Sequence, residues 1–366
     1  MGNEILSSRN LTILIKLNRI KTMSQFIQLH ILTSYAPSNL NRDDLGRPKT
    51  ARMGGFERLR ISSQSLKRHW RTSELFDVAL SGNIGTRTKQ FGLQIYDELI
   101  KGGIAEKEAK KWTELMVDQY GKLKKESIET EQLVHISHFE RAKAFDLIKL
   151  LIEERREPMK AELDDLKSNK TSVDIALFGR MLASAPKYNV EAACQVAHAI
   201  SVHSAVVEDD YFTAVDDLND GKTDTGSAHI GEMGFAAALF YSYICINKTQ
   251  LIESLEGNEE LANKAIQALT EVAIKVSPTG KQNSFASRAY ASYVLAEKGS
   301  YQPRSLSVAF LKPIDDEEME FSAIAALNQR MENFDKVYGA CADSRYQLNA
   351  VTGEGSISEL LQFVAE

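Results

Sequence analysis

Residues 54–71 read GGFERLRISSQSLKRHWR: a Gly-Gly pair, a run of small hydroxyl residues, and the cations Arg58, Arg60, Lys67, Arg68 and Arg71. Ser62 and Ser63 offer hydroxyl caps, and the spacing that follows predicts a helix running to Leu75 or Phe76. At 100° per residue Leu66 and Trp70 share one side, while Gln64, Lys67, Arg68 and Arg71 fall in an arc of about 100° roughly opposite. One face suits a core and the other carries charge.

Working outward, the window Arg42–Arg71 holds Lys or Arg at positions 42, 47, 49, 52, 58, 60, 67, 68 and 71, against Asp43, Asp44 and Glu57. That is +6 inside a chain whose net charge is −6, so the remainder sums to −12. A local inversion of that size predicts a polyanionic partner. The 43% apolar content is enough for a real core and too high for disorder. Cys194, Cys245 and Cys341 are far apart and form no CxxC pair, which argues against a disulfide framework or zinc ribbon and for a reducing cytoplasm. No apolar run approaches the roughly 18 residues of a membrane span, so no membrane association is expected. Leu11–Ile15, broken by Lys16, makes a poor signal peptide, and Leu6 stands where a myristoylation signal wants Ser or Thr. Met23 looks like the natural start, with residues 1–22 an extension outside the fold.

Gln25–Thr33 reads as a buried strand ending in a turn at Ser34-Tyr35-Ala36-Pro37, followed by an irregular loop from Ser38 to Leu59. Residues 88–170 are charged and helical in pattern, with cations and acids balanced over Lys122–Lys170, which predicts a helical insertion. Val173–Gly179 reads as a strand, Val190–Ala197 as a short Ala-rich helix, and Ala199–Val207 as a strand. The polar excursion Glu208–Glu232 before the strong strand pattern Phe235–Ile246 reads as a projecting β-hairpin arm. Helices are expected at Glu259–Val276, Glu317–Tyr338 and Ser356–Val364, and strands at Phe285–Leu295 and Leu306–Leu311. The order strand, helix, strand, strand, helix, strand is that of a ferredoxin-like α+β sheet, here carrying two large insertions.

Few residues ask for catalysis. His229 lies in GSAHIG, but no HxH, HxxxH or HExxH spacing occurs, so it reads as a structural or backbone-contacting residue, with no metal or cofactor expected. The pairs Asp43-Asp44, Asp209-Asp210 and Asp216-Asp217 read as turn and loop formers, since adjacent acids point different ways and do not by themselves make a two-metal site. GxSxG, P-loop and Rossmann fingerprints are absent. Tyr211 and Phe212, set in a polar arm, either staple it to the body or offer flat faces to unpaired bases.

QFIQLHILTSYAPSNLNRDD (25–44), GGFERLRISSQSLKR (54–68), VDIALFGRM (173–181), YFTAVDDL (211–218) and GSAHIG (226–231) closely resemble successive motifs of the backbone subunit of the type I-E CRISPR Cascade complex, the CasC family. The likeness runs from Met23 to the C-terminus and is densest at 23–71 and 171–245. It implies a modified RRM-like (ferredoxin-like) palm over 23–87, 171–207 and 233–366. Helical fingers would occupy 88–170 and a β-hairpin thumb 208–232.

It further implies a non-catalytic subunit that stacks head-to-tail along one CRISPR RNA. The thumb would displace bases at intervals and leave the rest to pair with a complementary target DNA strand. The implied partners are that RNA, that DNA, other copies, and the large, small, 5′-handle-binding and endoribonuclease subunits of Cascade. By position, Lys49, Ser62, Gln64, Lys67, Arg68 and Arg71 match residues gripping the RNA backbone, and Met181, Tyr211, Phe212 and Ile230 match places that wedge or stack at the displaced base. Arg42, Arg58 and His229 complete the expected RNA-binding set. Arg52, Met53 and Phe56 depart from the pattern, and Gly221–Thr225 lengthens the arm.

The chemistry agrees with that role: a holder of any guide sequence must contact phosphate and sugar and leave base edges free. Two other readings stand beside it. A metal-dependent RNA-cleaving backbone subunit would use Asp43 or Asp44, which lie in the loop after the first strand. A general scaffold would bind single strands without preference for a guide.

Overall fold

The computed structural model describes residues 24–167, 170–182, 186–214 and 229–366. The extension 1–22, the Asp216-Asp217 pair and the arm tip with Gly221–Thr225 lie outside the described residues.

β1 (Phe26–Ser38) is buried on both faces for most of its length. It runs through the segment expected to turn, because the register slips between Tyr35 and Ser38 and the resulting bulge takes Pro37, which has no N–H to offer a ladder. The expected irregular loop contains a hairpin, β2 (Thr50–Met53) with β3 (Phe56–Ile61). Gly54 and Gly55 have φ of 62° and 88°, the conformation a tight two-residue connection demands. The basic stretch then forms α1 (Ser63–Arg71). The single helix expected there stops at Thr72, because Ser73 caps a new one, α2 (Glu74–Ala79).

β4 (Thr86–Thr88), α3 (Phe91–Lys101), α4 (Glu106–Val117), β5 (Val134–Ile136), α5 (His138–Glu154) and α6 (Lys160–Asp165) follow. These helices enclose a core of their own, including Phe91, Trp112, Met116, Tyr120 and Leu151, distinct from the core under the main sheet. α7 (Val173–Phe178) is a helix where a strand was expected. Its apolar run is too short for periodicity to decide, and Gly179 at φ 80° ends it.

The segment expected as an Ala-rich helix instead holds a short strand, β6 (Cys194–Val196), because it pairs with the long central strand and that pairing overrides alanine's helix preference; the strand expected next is present as β7 (Ala199–Ser201), on the same partner. The strand expected to reach Val207 ends at Ser201. β8 (Glu208–Ala214) pairs with the first residues of β9 (His229–Asn247), forming the hairpin arm.

α8 (Lys248–Ser254), α9 (Glu259–Lys275), α10 (Gln282–Phe285) and β10 (Tyr293–Gly299) come next. The strand expected to begin at Phe285 starts only at Tyr293. The strand expected at Leu306–Leu311 is a 3-10 turn, Ser307–Phe310, packed over the sheet rather than within it. α11 (Met319–Tyr338), β11 (Ser344–Asn349) and α12 (Ile357–Ala365), capped by Ser356, complete the chain.

The main sheet is antiparallel in the order β11-β10-β1-β9-β7-β3-β2, with β6 and β8 also on β9. α1 lies in sequence between β1 and β7, and α9 between β9 and β10, so these six elements run strand, helix, strand, strand, helix, strand. Ile27, Leu29 and Ile31 face the layer containing α1, α2, α7, α9 and α12. On the opposite face Leu32, Tyr241, Tyr293 and Leu295 pack against Phe310 and against Ile324, Leu327 and Met331 of α11. His30, Glu297 and Arg304 form a buried polar group on that same strand pair.

Candidate nucleic-acid interface

α1 buries Ser63, Leu66 and Trp70, leaves Gln64 and Arg68 exposed, and holds Lys67 and Arg71 half-buried. The projection drawn from residues 54–71 is thus the geometry of the helix. Arg68 and Arg71 also sit in its last turn, where the helix dipole favours cations.

The first turn is tied down by residues outside it. Ser62 Oγ accepts from Ser65 N at 3.3 Å, and Ser62 N donates to Asn41 Oδ1 at 2.8 Å. Ser63 N donates to His198 Nδ1 at 3.0 Å, which requires that nitrogen to be unprotonated. Burial pushes the His198 pKa down, and the charges of Arg60, Lys49 and Lys67 push it further the same way. The charges of Lys49, Arg60 and Lys67 therefore all act on one imidazole. Reasoning from the sequence left out Arg60 and His198. Arg60 lay in the basic window without a motif to single it out, and His198 carries no local signal.

Lys49 is stitched between strands through its backbone: Lys49 N donates to Asn41 O at 2.9 Å and Arg60 N donates to Lys49 O at 2.8 Å. Arg42 is exposed at the mouth of the loop, bridged to Pro48. Arg58 is a correction. Its side chain is fully buried, donating to Ser201 O at 2.9 Å, Phe310 O at 2.8 Å and Leu311 O at 3.4 Å. It binds the protein's own carbonyls and cannot face a ligand.

Arg71 donates to Asp174 Oδ2 at 3.3 Å. Asp174 also takes His135 Nε2 at 2.7 Å and Gly85 N at 2.8 Å, joining α1, α7 and the helical insertion at one buried carboxylate. Burial alone would raise the Asp174 pKa; the His135 hydrogen bond and charge, with Gly85 and Arg71, outweigh it and hold it below the ordinary value.

Met181 is 85% exposed, Tyr211 65% and Phe212 40%. The Phe212 ring lies over Gly231 across the hairpin, where an added Cβ would come within 2.4 Å of it. His229 and Ile230 pair with Ala214 and Thr213 in the arm; only their backbone is described. The loop and the arm are joined by the Arg47–Asp209 ion pair at 3.1 Å, and Asn39 Nδ2 donates to Gly234 O at 2.8 Å.

Asp43 Oδ1 accepts from both Leu45 N and Arg47 N at 2.9 Å, which closes the loop as an Asx turn. Among the described residues no group of three or more His, Cys, Asp or Glu stands close enough to hold a metal, and no helix is long and apolar enough to cross a membrane. All three cysteines are buried, and burial pushes the Cys245 thiol to about 11.

The fold and this surface define an α+β protein that sets a basic helix and hairpin beside an arm carrying exposed aromatics. The chain belongs to the CT1975-like protein family, whose model matches residues 27–360. It is similar to a solved chain of a "CRISPR RNA-guided surveillance complex, pre-nicking", with 28% identity, a TM-score of 0.78, and coverage of 93% of this chain and 99% of that one. A second, from a "CRISPR RNA-guided surveillance complex", has 25% identity, a TM-score of 0.58, and coverage of 93% and 98%. No curated protein matches. The family and these likenesses identify a component of a CRISPR surveillance complex.

Proposed function

We infer that the chain is a non-catalytic backbone subunit of a type I-E Cascade complex in the cytoplasm, holding the guide RNA by its phosphates and sugars. The observation that carries this is that the basic hairpin and the basic helix are fixed side by side, Arg60 N donating to Lys49 O and Ser63 N of α1 donating to His198 Nδ1, with Gln64 and Arg68 exposed, at the foot of an arm bearing Tyr211 and Phe212. Such a surface supplies cations to a backbone and stacking faces to bases, with no device for reading sequence. The order β10-β1-β9-β7, with α1 and α9 as its crossovers, supports an RRM-like palm.

On this reading copies stack head-to-tail along one RNA, the arm displaces bases at intervals, and the stretches between pair with target DNA. The other Cascade subunits cap and line the assembly. The turn closed by Asp43 gives one of the two loop acids a structural task, which favours holding over cutting at that residue.

The test is a salt titration of guide-RNA binding by the full chain, wild type against Lys67→Glu and Arg68→Glu. Each reversal should weaken binding and make the log–log salt slope shallower by about one phosphate contact, roughly 0.7–0.9. Unchanged affinity and slope in both variants would sink the reading.

A further inference from the structure

Beside the basic face of α1 a cleft of about 540 Å³ opens between the loop that starts at Leu40, the Ser65/His69 side of α1, and the turn Thr279–Lys281. Its walls are locked together. Gly280 approaches the loop so closely that an added Cβ would lie 2.3 Å from Leu40 O and 2.6 Å from Asn39 O. His69 ties the helix to the turn: Nδ1 meets Ser65 O at 2.7 Å and Nε2 meets Thr279 Oγ1 at 2.9 Å. Lys281 itself has φ of 48°, a left-handed conformation that a non-glycine residue keeps only where its surroundings impose it. The turn is thus held in a costly shape that sets Lys281 on the cleft.

The lining is mixed in charge, and the mixture is informative. Arg42 and Lys281 supply cations, Asp44 a carboxylate, and Asn41 and Thr279 neutral polar groups. The neighbouring carboxylate, Asp43, already spends one oxygen on two backbone N–H groups. A site for bare phosphate gains nothing from a carboxylate, and a site for an amine gains nothing from Arg42 and Lys281. A ribose–phosphate unit carries both needs at once: an anion for the cations, and a 2′-hydroxyl that can donate to an acid.

We propose that this cleft holds one ribose–phosphate of the bound strand, with Arg42 and Lys281 on the phosphate and Asp44 accepting from the 2′-hydroxyl, so that Asp44 selects RNA over DNA. The proposal rests on the RNA-holding reading above and adds to it a discriminating residue and a second wall, the turn at 279–281.

The experiment measures binding of a single-stranded RNA oligonucleotide and a DNA of the same base order, by fluorescence anisotropy. It uses full-length wild type, Asp44→Ala, Asp44→Asn and Lys281→Glu, with the unfolding midpoint of each recorded. Asp44→Ala should lower RNA affinity about tenfold while leaving DNA affinity unchanged or raised, and Asp44→Asn, which keeps a weaker neutral acceptor, should shift the RNA-to-DNA ratio the same way by less. Lys281→Glu should lower both, with a shallower salt slope. An RNA-to-DNA ratio unaltered in both Asp44 variants at wild-type midpoints would overturn the proposal. If Lys67→Glu abolished RNA binding while the Asp44 and Lys281 variants stayed silent, the cleft would be rejected and the RNA-holding reading kept. If wild type bound neither strand, both would fall.

Discussion

The guanidinium of Arg58 donates to the carbonyl of Phe310 at 2.8 Å, joining residues 252 positions apart. With its bond to Ser201 O, it fastens the β2–β3 hairpin to both β7 and the turn after β10. Gly54, at the tip of that hairpin, lies so close to Leu311 that a Cβ would overlap its carbonyl oxygen. The platform that carries Lys49 and Arg60 is therefore clamped at its tip and its middle.

Arg58→Met should cost about 3 kcal/mol or more, because it leaves several buried carbonyls without a donor. Arg68→Met, on the exposed face of α1, should stay within about 0.5 kcal/mol of wild type. Urea unfolding of the two variants checks this. An Arg58→Met protein of wild-type stability that lost only its RNA affinity would return Arg58 to the interface.

Ser62 caps α1 while standing among the residues that resemble RNA contacts. Ser62→Ala should cost about 1 kcal/mol in thermal or chemical unfolding. Ser62→Asp keeps a cap acceptor but adds negative charge, so its stability should hold while its RNA affinity drops. Equal affinity for the Asp variant and wild type would mean that Ser62 serves the helix alone.

Acid should unfold the protein in two stages through the buried pair on the sheet's α11 side. Burial lowers the His30 pKa from its ordinary 6.5, outweighing the hydrogen bond with Glu297. The unfolded chain therefore takes up that proton first, and stability present above about pH 6.5 is lost as pH falls. Burial acts to raise the Glu297 pKa, but hydrogen bonds from His30 and Arg304 and the charge of Arg304 drive it far below its ordinary 4.5. Its contribution is full above that value and is lost as pH falls further. Unfolding free energy measured from pH 8 to 4 should decline from about 6.5 downward. His30→Gln should flatten the upper part of that decline, and a wild type with level stability from pH 7 to 5 would contradict the assignment.

Asp174→Ala leaves Arg71 and His135 without their shared acceptor and should cost about 3 kcal/mol. The loss should appear first as faster hydrogen exchange at Gly85 and in the β4–β5 pair, because Gly85 N donates to the same carboxylate. Exchange that rose evenly through the sheet would show that the carboxylate does not anchor the insertion.

Much of the frame was legible because its signals are local. Leu66 and Trp70 mark the buried side of α1 by spacing alone, and Ser356 marks the start of α12. The errors arise where partners distant in sequence decide. VDIALFG is apolar enough for either state, and its helix depends on Gly179 and on neighbours the spacing does not name. Cys194–Val196 becomes strand only because β9 lies beside it. Arg58 and Arg60 look alike in sequence, yet Phe310 and Ser201 claim the first and leave the second near His198. His198 itself was invisible, since its task is set by a backbone N–H 135 residues away.

β9 passes from one partner to another without a gap: Phe235 is the last residue paired with β8, and Ala236 is already paired with β1. Its 19 residues span roughly 60 Å as one ribbon. The described part of the arm is in effect a cantilever rooted in the middle of the sheet, with no break in β9 between the two. Asn39 donates to Gly234 O, and Pro48 packs where a Cβ on that glycine would sit, so a load on the arm is delivered to the root of the basic loop. On the RNA-holding reading, a strand pushed aside by the arm and a strand gripped by the loop would press on the same fulcrum.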